Sequence, residues 1–198
     1  MDSTTPSATP PRREGEGQQL RDTLPRSFRL QRTNSRRQAL QLLYALETNL
    51  GWTEPLPEAL DHFLDIIAQE QLDDEEREMG KRPMPRSILR KSWSHARKLT
   101  EGVRKNREAL DAAIAAAAKN WPLSRISLVD RNILRLAAYE MLFTQPSVSP
   151  AIAINEAVDL AHAFGQKDSW RFVNGVLDQI RKTHAPRSFT LGTPSAEE

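Results

Sequence analysis

The chain contains no cysteine, which excludes disulfides, thiolate nucleophiles and cysteine-based zinc sites together and suits a reducing compartment. It has no run of about 18 apolar residues, so no segment is built to span a bilayer. The opening stretch, MDSTTPSATPPRREGEG, lacks the apolar centre of a secretory signal, and a soluble cytoplasmic protein is expected. Neither G-x-G-x-x-G nor a P-loop is present, and the only G-x-G, Gly15 to Gly17, falls in that polar start. The four histidines, His62, His95, His162 and His184, are scattered without metal-ligand spacing such as H-E-x-x-H. Acid pairs such as Asp73-Asp74 lie in a strongly polar stretch, where solvation is their ordinary role. No catalytic constellation remains, so no enzyme, cofactor or metal is expected. Alternating β-branched residues are missing too, which argues against strands.

What is present is helical. The middle of the chain is rich in Ala, Leu, Ile and Arg, and 198 residues suffice for one domain with a real core. Thirteen prolines concentrate in the first 25 residues, around 83–85 and in 186–194. Residues 1–30 and 185–198 are polar and Pro-rich, with little apolar surface to offset ordering entropy, and are expected to be disordered tails around a domain at 31–184.

From Ser35 the apolar spacing predicts a helix carrying Ala39, Leu40, Leu42, Leu43, Tyr44 and Leu46. A second helix should follow Pro57, with Leu60, Phe63, Leu64 and Ile67 inward. Residues 69–86, acidic and then basic, read as an insertion. Ser87 to Lys105 predicts a helix with Trp93, Ala96, Leu99 and Val103 on one side. Asn106 is placed to cap the next, which carries Leu110, Ile114, Ala117 and Ala118 and ends at Trp121-Pro122. Ser127 to Asp130 has capping-box form ahead of Ile133, Leu134, Leu136, Ala137 and Met141, and Gln145-Pro146 closes that helix. The fold class is all-α, a compact bundle of six to seven helices.

Net charge is only +2, yet it is unevenly spread. No acid lies between Asp22 and Glu47, while Arg26, Arg29, Arg32, Arg36 and Arg37 all do. A run of charge is often only a solvated helix start. Cations are nevertheless repelled by a helix N-terminus, and a phosphate partner would supply the missing counter-charge to guanidinium forks. A local positive field of this kind suits docking to a polyanion.

The stretch Ala151–Asp178, AIAINEAVDLAHAFGQKDSWRFVNGVLD, predicts two helices joined by a tight corner. Ile154, Val158, Ala161 and Phe164 line the first, and Phe172 or Val173, Val176, Leu177 and Ile180 line the second. Gly165 is expected at the stop with a positive φ, and Asp168 as the cap of the second helix. Asn155 and Asn174 are expected to satisfy buried backbone groups, and Gly175 to mark a close helix–helix approach. Lys167, Asp168, Trp170, Arg171 and Phe172 crowd the corner. Trp170 and Phe172, two residues apart, project about 200° apart around a helix, so one of them should face out beside the cations. Rings next to cations are what single-stranded RNA requires, since bases stack while the backbone is neutralised.

INEAVDLA…FG…D…FVNGVLD, together with RRQALQLLY, resembles the NusB family of bacterial transcription antitermination factors over roughly Arg32–Arg181. The resemblance implies an RNA-binding protein that pairs with NusE, a ribosomal small-subunit protein. The pair would bind single-stranded boxA-type RNA, join the transcription elongation complex and promote transcription of ribosomal RNA operons. It places RNA contacts in the arginine-rich N-terminal segment, with Arg36 and Arg37 in it and Arg32 just ahead, and the acid-free run adds Arg29 as a further candidate contact. It places others at the corner, where Asp168 and Phe172 match the positions concerned; Phe172 is favoured over Trp170 for a base, and Lys167 and Arg171 join them as the cations beside the rings. Tyr44 and Asp130 match positions near the NusE-pairing surface. Thr33 and Asn34 depart from the family pattern, standing where more arginine is usual. An alternative is a helical protein-binding adaptor with little RNA affinity. The related helical domain appended to ribosomal RNA methyltransferases would require a cofactor-binding α/β half to follow.

Overall fold

The structure is a computed structural model that describes residues 25–52, 86–144 and 147–184. The helix expected after Pro57, nearly all of the 69–86 insertion, the Gln145-Pro146 stop, most of the expected N-terminal tail and all of the expected C-terminal tail lie outside those residues. Within them the fold is all-α, with six α-helices: α1 (Arg26–Ala45), α2 (Arg86–Lys105), α3 (Arg107–Ala117), α4 (Leu128–Phe143), α5 (Pro150–Phe164) and α6 (Ser169–His184). A π-helical turn, Leu46–Leu50, extends α1, and a short 3-10 turn, Leu123–Arg125, precedes α4. Gly51 ends the π turn at φ 70, a conformation that favours glycine. No helix of the described residues is long and apolar enough to cross a membrane.

α4 is the hub, packed against each of the other five helices. Its residues from Asn132 to Ala138 are all buried, because a helix enclosed by neighbours at that level has no solvent face, and the one charge in the run, Arg135, is met by carboxylates. Ile133, Leu134, Leu136, Ala137 and Met141 join Leu43 of α1, Leu99 and Val103 of α2, Leu110 and Ile114 of α3, Leu160 of α5 and Val173, Leu177 and Ile180 of α6 in one core. Each large side chain buried there contributes about 1.5–3 kcal/mol. Tyr44, expected on the inner stripe of α1, and Phe164, expected inward on α5, are instead exposed.

α1 starts at Arg26, ahead of both the predicted Ser35 start and the expected tail boundary at residue 30. It runs antiparallel to α4: Arg36 meets Glu140 near the end of α4, and Glu47 meets Arg131 and Arg135 near its start. Arg135, 3% exposed, also grips Asp111 of α3 with two bonds of 2.6 and 2.9 Å. Arg107 and Arg135 both lie against the Trp52 ring, so one ionic and aromatic cluster ties α1, α3 and α4 together. Asn106 holds the junction of α2 and α3 by donating from Nδ2 to the Gly102 carbonyl at 2.8 Å, rather than by capping α3 with its side chain.

The α5–α6 corner is built around Gly165 and Ser169. Gly165 has φ −86, not the positive value expected. Glycine is needed there for space: an added Cβ would lie 2.6 Å from the Ala161 carbonyl oxygen and 2.6 Å from Ser169 Cβ. Ser169 Oγ accepts from the Gln166 N–H at 2.9 Å and donates to Asp130 Oδ2 at 3.0 Å, pinning the corner to the first turn of α4. Gly175 also departs from expectation. A Cβ there would meet nothing within 4 Å, and both Gly175 and Asn174 face solvent. Asn155 is half-buried.

Candidate nucleic-acid interface

The arginine segment forms the first turns of α1, and helical geometry sorts its members. Successive residues point about 100° apart, so Arg36 and Arg37 cannot share a face. Arg37 is exposed. Arg36 is only 4% exposed and makes a two-pronged pair with Glu140, Nε to Oε2 and Nη2 to Oε1, each at 2.8 Å. Its Nη1 lies 3.3 Å from Glu156 Oε2, which also accepts from the Thr33 hydroxyl at 3.0 Å. Burial alone would lower the Arg36 pKa, but the Glu140 and Glu156 carboxylates outweigh it and hold it above the ordinary arginine value. The expectation that Arg36 contacts RNA is therefore corrected. Its guanidinium is spent on joining α1 to α4 and α5.

Arg29 and Arg32 are half-buried. Arg32 lies over the Phe28 ring and contacts the His95 ring of α2, Nη1 to Nδ1 at 2.8 Å. Burial, with Arg32, Arg36 and Lys98 nearby, lowers the His95 pKa to about 4, so at neutral pH the ring adds no charge. Ser92 of α2 donates to the Gln31 carbonyl at 3.2 Å. These contacts set the early turns of α2 beside the arginine segment, and α2 has no acid before Glu101. Arg90, Lys91, Arg97 and Lys98 are all exposed on α2. The basic face thus continues from α1 onto a second helix. That continuation was legible only as the run RKSWSHARK, without a way to know its neighbour.

The corner lies at the other end of α4. Asp130, which holds Ser169, and Glu140, which holds Arg36, are separated by about 15 Å of helix. Lys167, Asp168 and Arg171 are exposed, and Asp168 Oδ1 pairs with Arg171 Nη1 at 3.1 Å. Asp168 occupies the cap position through its backbone, its carbonyl accepting from the Arg171 N–H, while its carboxylate turns to the Arg171 side chain. Trp170 and Phe172 diverge as helix geometry requires, but both are half-buried. Trp170 stacks on His162 at 5.1 Å between centroids, with Arg171 also over its ring. Phe172 packs against the core and meets Trp121 edge-on at 6.0 Å. Trp121, assigned only the end of a helix from the sequence, is 53% exposed.

Of the two residues assigned to a partner surface, Tyr44 is exposed. Asp130 is not, and that assignment is corrected. It is 7% exposed, its N–H donates to Ser127 Oγ at 3.1 Å, and its carboxylate accepts from Ser169. The capping box is half made, because the carboxylate serves α6 instead of reaching back to its own N-cap. Both residues belong to the end where the last turn of α1 meets the first turns of α4. Among the described residues no group of three or more acidic or imidazole side chains is placed to hold a metal.

A family model described as "NusB family" matches residues 33–182. A transcription antitermination protein NusB from Geotalea daltonii is 38% identical over 150 residues, spanning 75% of this chain and 92% of that protein. One from Bdellovibrio bacteriovorus is 46% identical over 91 residues, 46% of this chain and 67% of the relative. Among solved structures, Thermotoga maritima NusB superposes with a TM-score of 0.53 at 28% identity, covering 78% of this chain and 93% of its own. The match runs from within α1 into α6 and includes the corner and the exposed cations of α2, with Arg26, Arg29 and Arg32 ahead of it, and on that ground this chain belongs to the NusB family.

Proposed function

We propose that this protein is an RNA-binding transcription antitermination factor. In this reading it binds single-stranded boxA-type RNA in the cytoplasm together with the ribosomal protein NusE. The pair joins the elongation complex and promotes processive transcription of ribosomal RNA operons. Its mechanism is recruitment, with no bond made or broken. The observation that carries the reading is the acid-free basic face shared by α1 and α2, where Arg26, Arg37, Arg90, Lys91 and Lys98 are exposed while the nearby Glu140 and Glu156 are buried on Arg36.

Two regions divide the work. Exposed cations on α1 and α2, with the half-buried Arg29 and Arg32, hold phosphates, which position a strand without reading it. The corner, with Lys167, Arg171 and Phe172, takes bases. Asp168 tempers the corner by pairing with Arg171. Tyr44 presents a ring at the opposite end of α1 from the arginines and is assigned to the NusE surface.

The test is a titration of boxA-type and scrambled RNA, with and without NusE, over a range of salt. The parent should prefer boxA-type RNA, and log K should fall as log salt rises. Each phosphate contact removed should flatten that slope by about 0.7 for a single strand, so Arg26→Ala with Arg37→Ala should flatten it by about 1.4. Folded protein that binds neither RNA, alone or with NusE, would instead establish the adaptor reading.

A further inference from the structure

The connection between α3 and α4 carries a feature that the fold does not use. Among the described residues Trp121 is the most exposed of the large apolar side chains, at 53%, and packs outside the core. Leaving an indole in water forgoes the burial of a large apolar surface. Nor is its position loose. The Trp121 N–H donates to the Ala118 carbonyl at 2.8 Å, and Pro122 follows at φ −55, its ring restricting the turn. The main chain that carries the indole is therefore restrained, and the indole itself stands largely in solvent. Its ring contact is Phe172, centroids 6.0 Å apart and planes at 65°. Whichever ring supplies the edge, Phe172 covers at most one face of the indole.

Charge around it favours an anionic partner, such as a polyanion, over a basic or neutral one. No acid occurs between Asp111 and Asp130, and Lys119 and Arg125 in that stretch are exposed on either side of Trp121. Asp168, one turn before Phe172, is already paired with Arg171. Trp170 is less suited, because His162 and Arg171 already lie against its ring.

We propose that Trp121 is a base-stacking residue, its indole and the Phe172 ring together forming a two-ring step that receives an unstacked base of single-stranded RNA. The step extends the corner onto the α3–α4 connection, with Lys119 and Arg125 placed for the phosphates on either side. This rests on the RNA-binding reading above and adds a residue that reading does not contain.

The test uses the full-length protein and boxA-type RNA, with Trp121→Ala, Trp121→Leu, Trp121→Phe and Phe172→Ala compared with the parent. Circular dichroism and thermal unfolding check the fold. Loss of one stacked base corresponds to roughly 5- to 150-fold weaker binding. Trp121→Ala should show that loss with an unchanged salt slope, since stacking releases no counterions. Trp121→Leu keeps an apolar contact to Phe172 but no flat face, and should lose as much as Trp121→Ala. Trp121→Phe should recover most of the affinity. Parental affinity in Trp121→Leu would overturn the proposal, leaving the indole a packing group for Phe172. A loss seen only when NusE is present would overturn it in favour of a protein contact. If the parent itself binds no RNA, the RNA-binding reading fails; if it binds and only Phe172→Ala is impaired, the Trp121 inference fails alone.

Discussion

The arginine end of α1 and the α5–α6 corner are both basic, yet they spend their charge in opposite ways. At α1 one of the adjacent arginines is turned inward onto two buried carboxylates, and its neighbour is left in water. At the corner every charged side chain is exposed, and the hydroxyl of Ser169 anchors the turn instead. A buried guanidinium locks helices together but is lost to a ligand, whereas an exposed one is available and contributes little to stability. Counting arginines therefore overstates the exposed positive charge of α1, and omits the cations that α2 adds beside it.

The largest expected effect would break this comparison directly. Arg36→Ala strands the Glu140 carboxylate in the core and removes a cation from beside Glu156, and should cost about 3–5 kcal/mol of unfolding free energy. Arg37→Ala, one residue on, should change stability by less than about 0.5 kcal/mol. Denaturant unfolding of the two variants decides it, and equal midpoints would show that the Arg36 pairing does not hold the helices.

A smaller effect sharpens the corner side. Gly165→Ala would force a Cβ against the Ala161 carbonyl, which cannot move without disturbing α5, and should destabilise by about 1–3 kcal/mol. Gly175→Ala, with open space around the site, should stabilise by up to about 1 kcal/mol. Thermal melts of both variants check the sign of each change; Gly165→Ala melting with the parent would return the corner to an unconstrained turn.

The smallest effect concerns binding. Asp168→Asn removes a negative charge beside the proposed RNA path and releases Arg171 from that pair. A surface pair of this kind is worth about 0–1 kcal/mol, so RNA affinity should rise by up to about 5-fold with stability unchanged. Weaker binding would mean that the carboxylate itself accepts a hydrogen bond from the RNA.

Much of the bundle was legible from periodicity. The core faces of α2, α4 and α6 followed from residues such as Ala96, Ile133 and Leu177, because a buried stripe leaves a repeating mark in the chain. Ser127 was legible as a cap because an N-cap hydroxyl acts on its own helix. The corner's exposed cations and the divergence of Trp170 and Phe172 were legible for the same local reason. Asp130 was not. Its partner Ser169 lies 39 residues on, and nothing in the first turn of a helix reveals which neighbour will claim its carboxylate. Gly165 was identified as the turn but for the wrong reason, since crowding by Ser169, not backbone handedness, excludes a side chain.

By itself the sequence determined the six described α-helices, most of their inward stripes, an acid-free run of arginines and the family signature, all properties set within a few turns of chain. Tertiary structure alone decided that Arg36 is internal, that α2 carries the basic face onward beside α1, and that Trp121 meets Phe172. Each of those depends on which helix packs against which. Burial and pairing are made between elements distant in sequence, and a charge or a ring acquires its role only when its neighbours are in place.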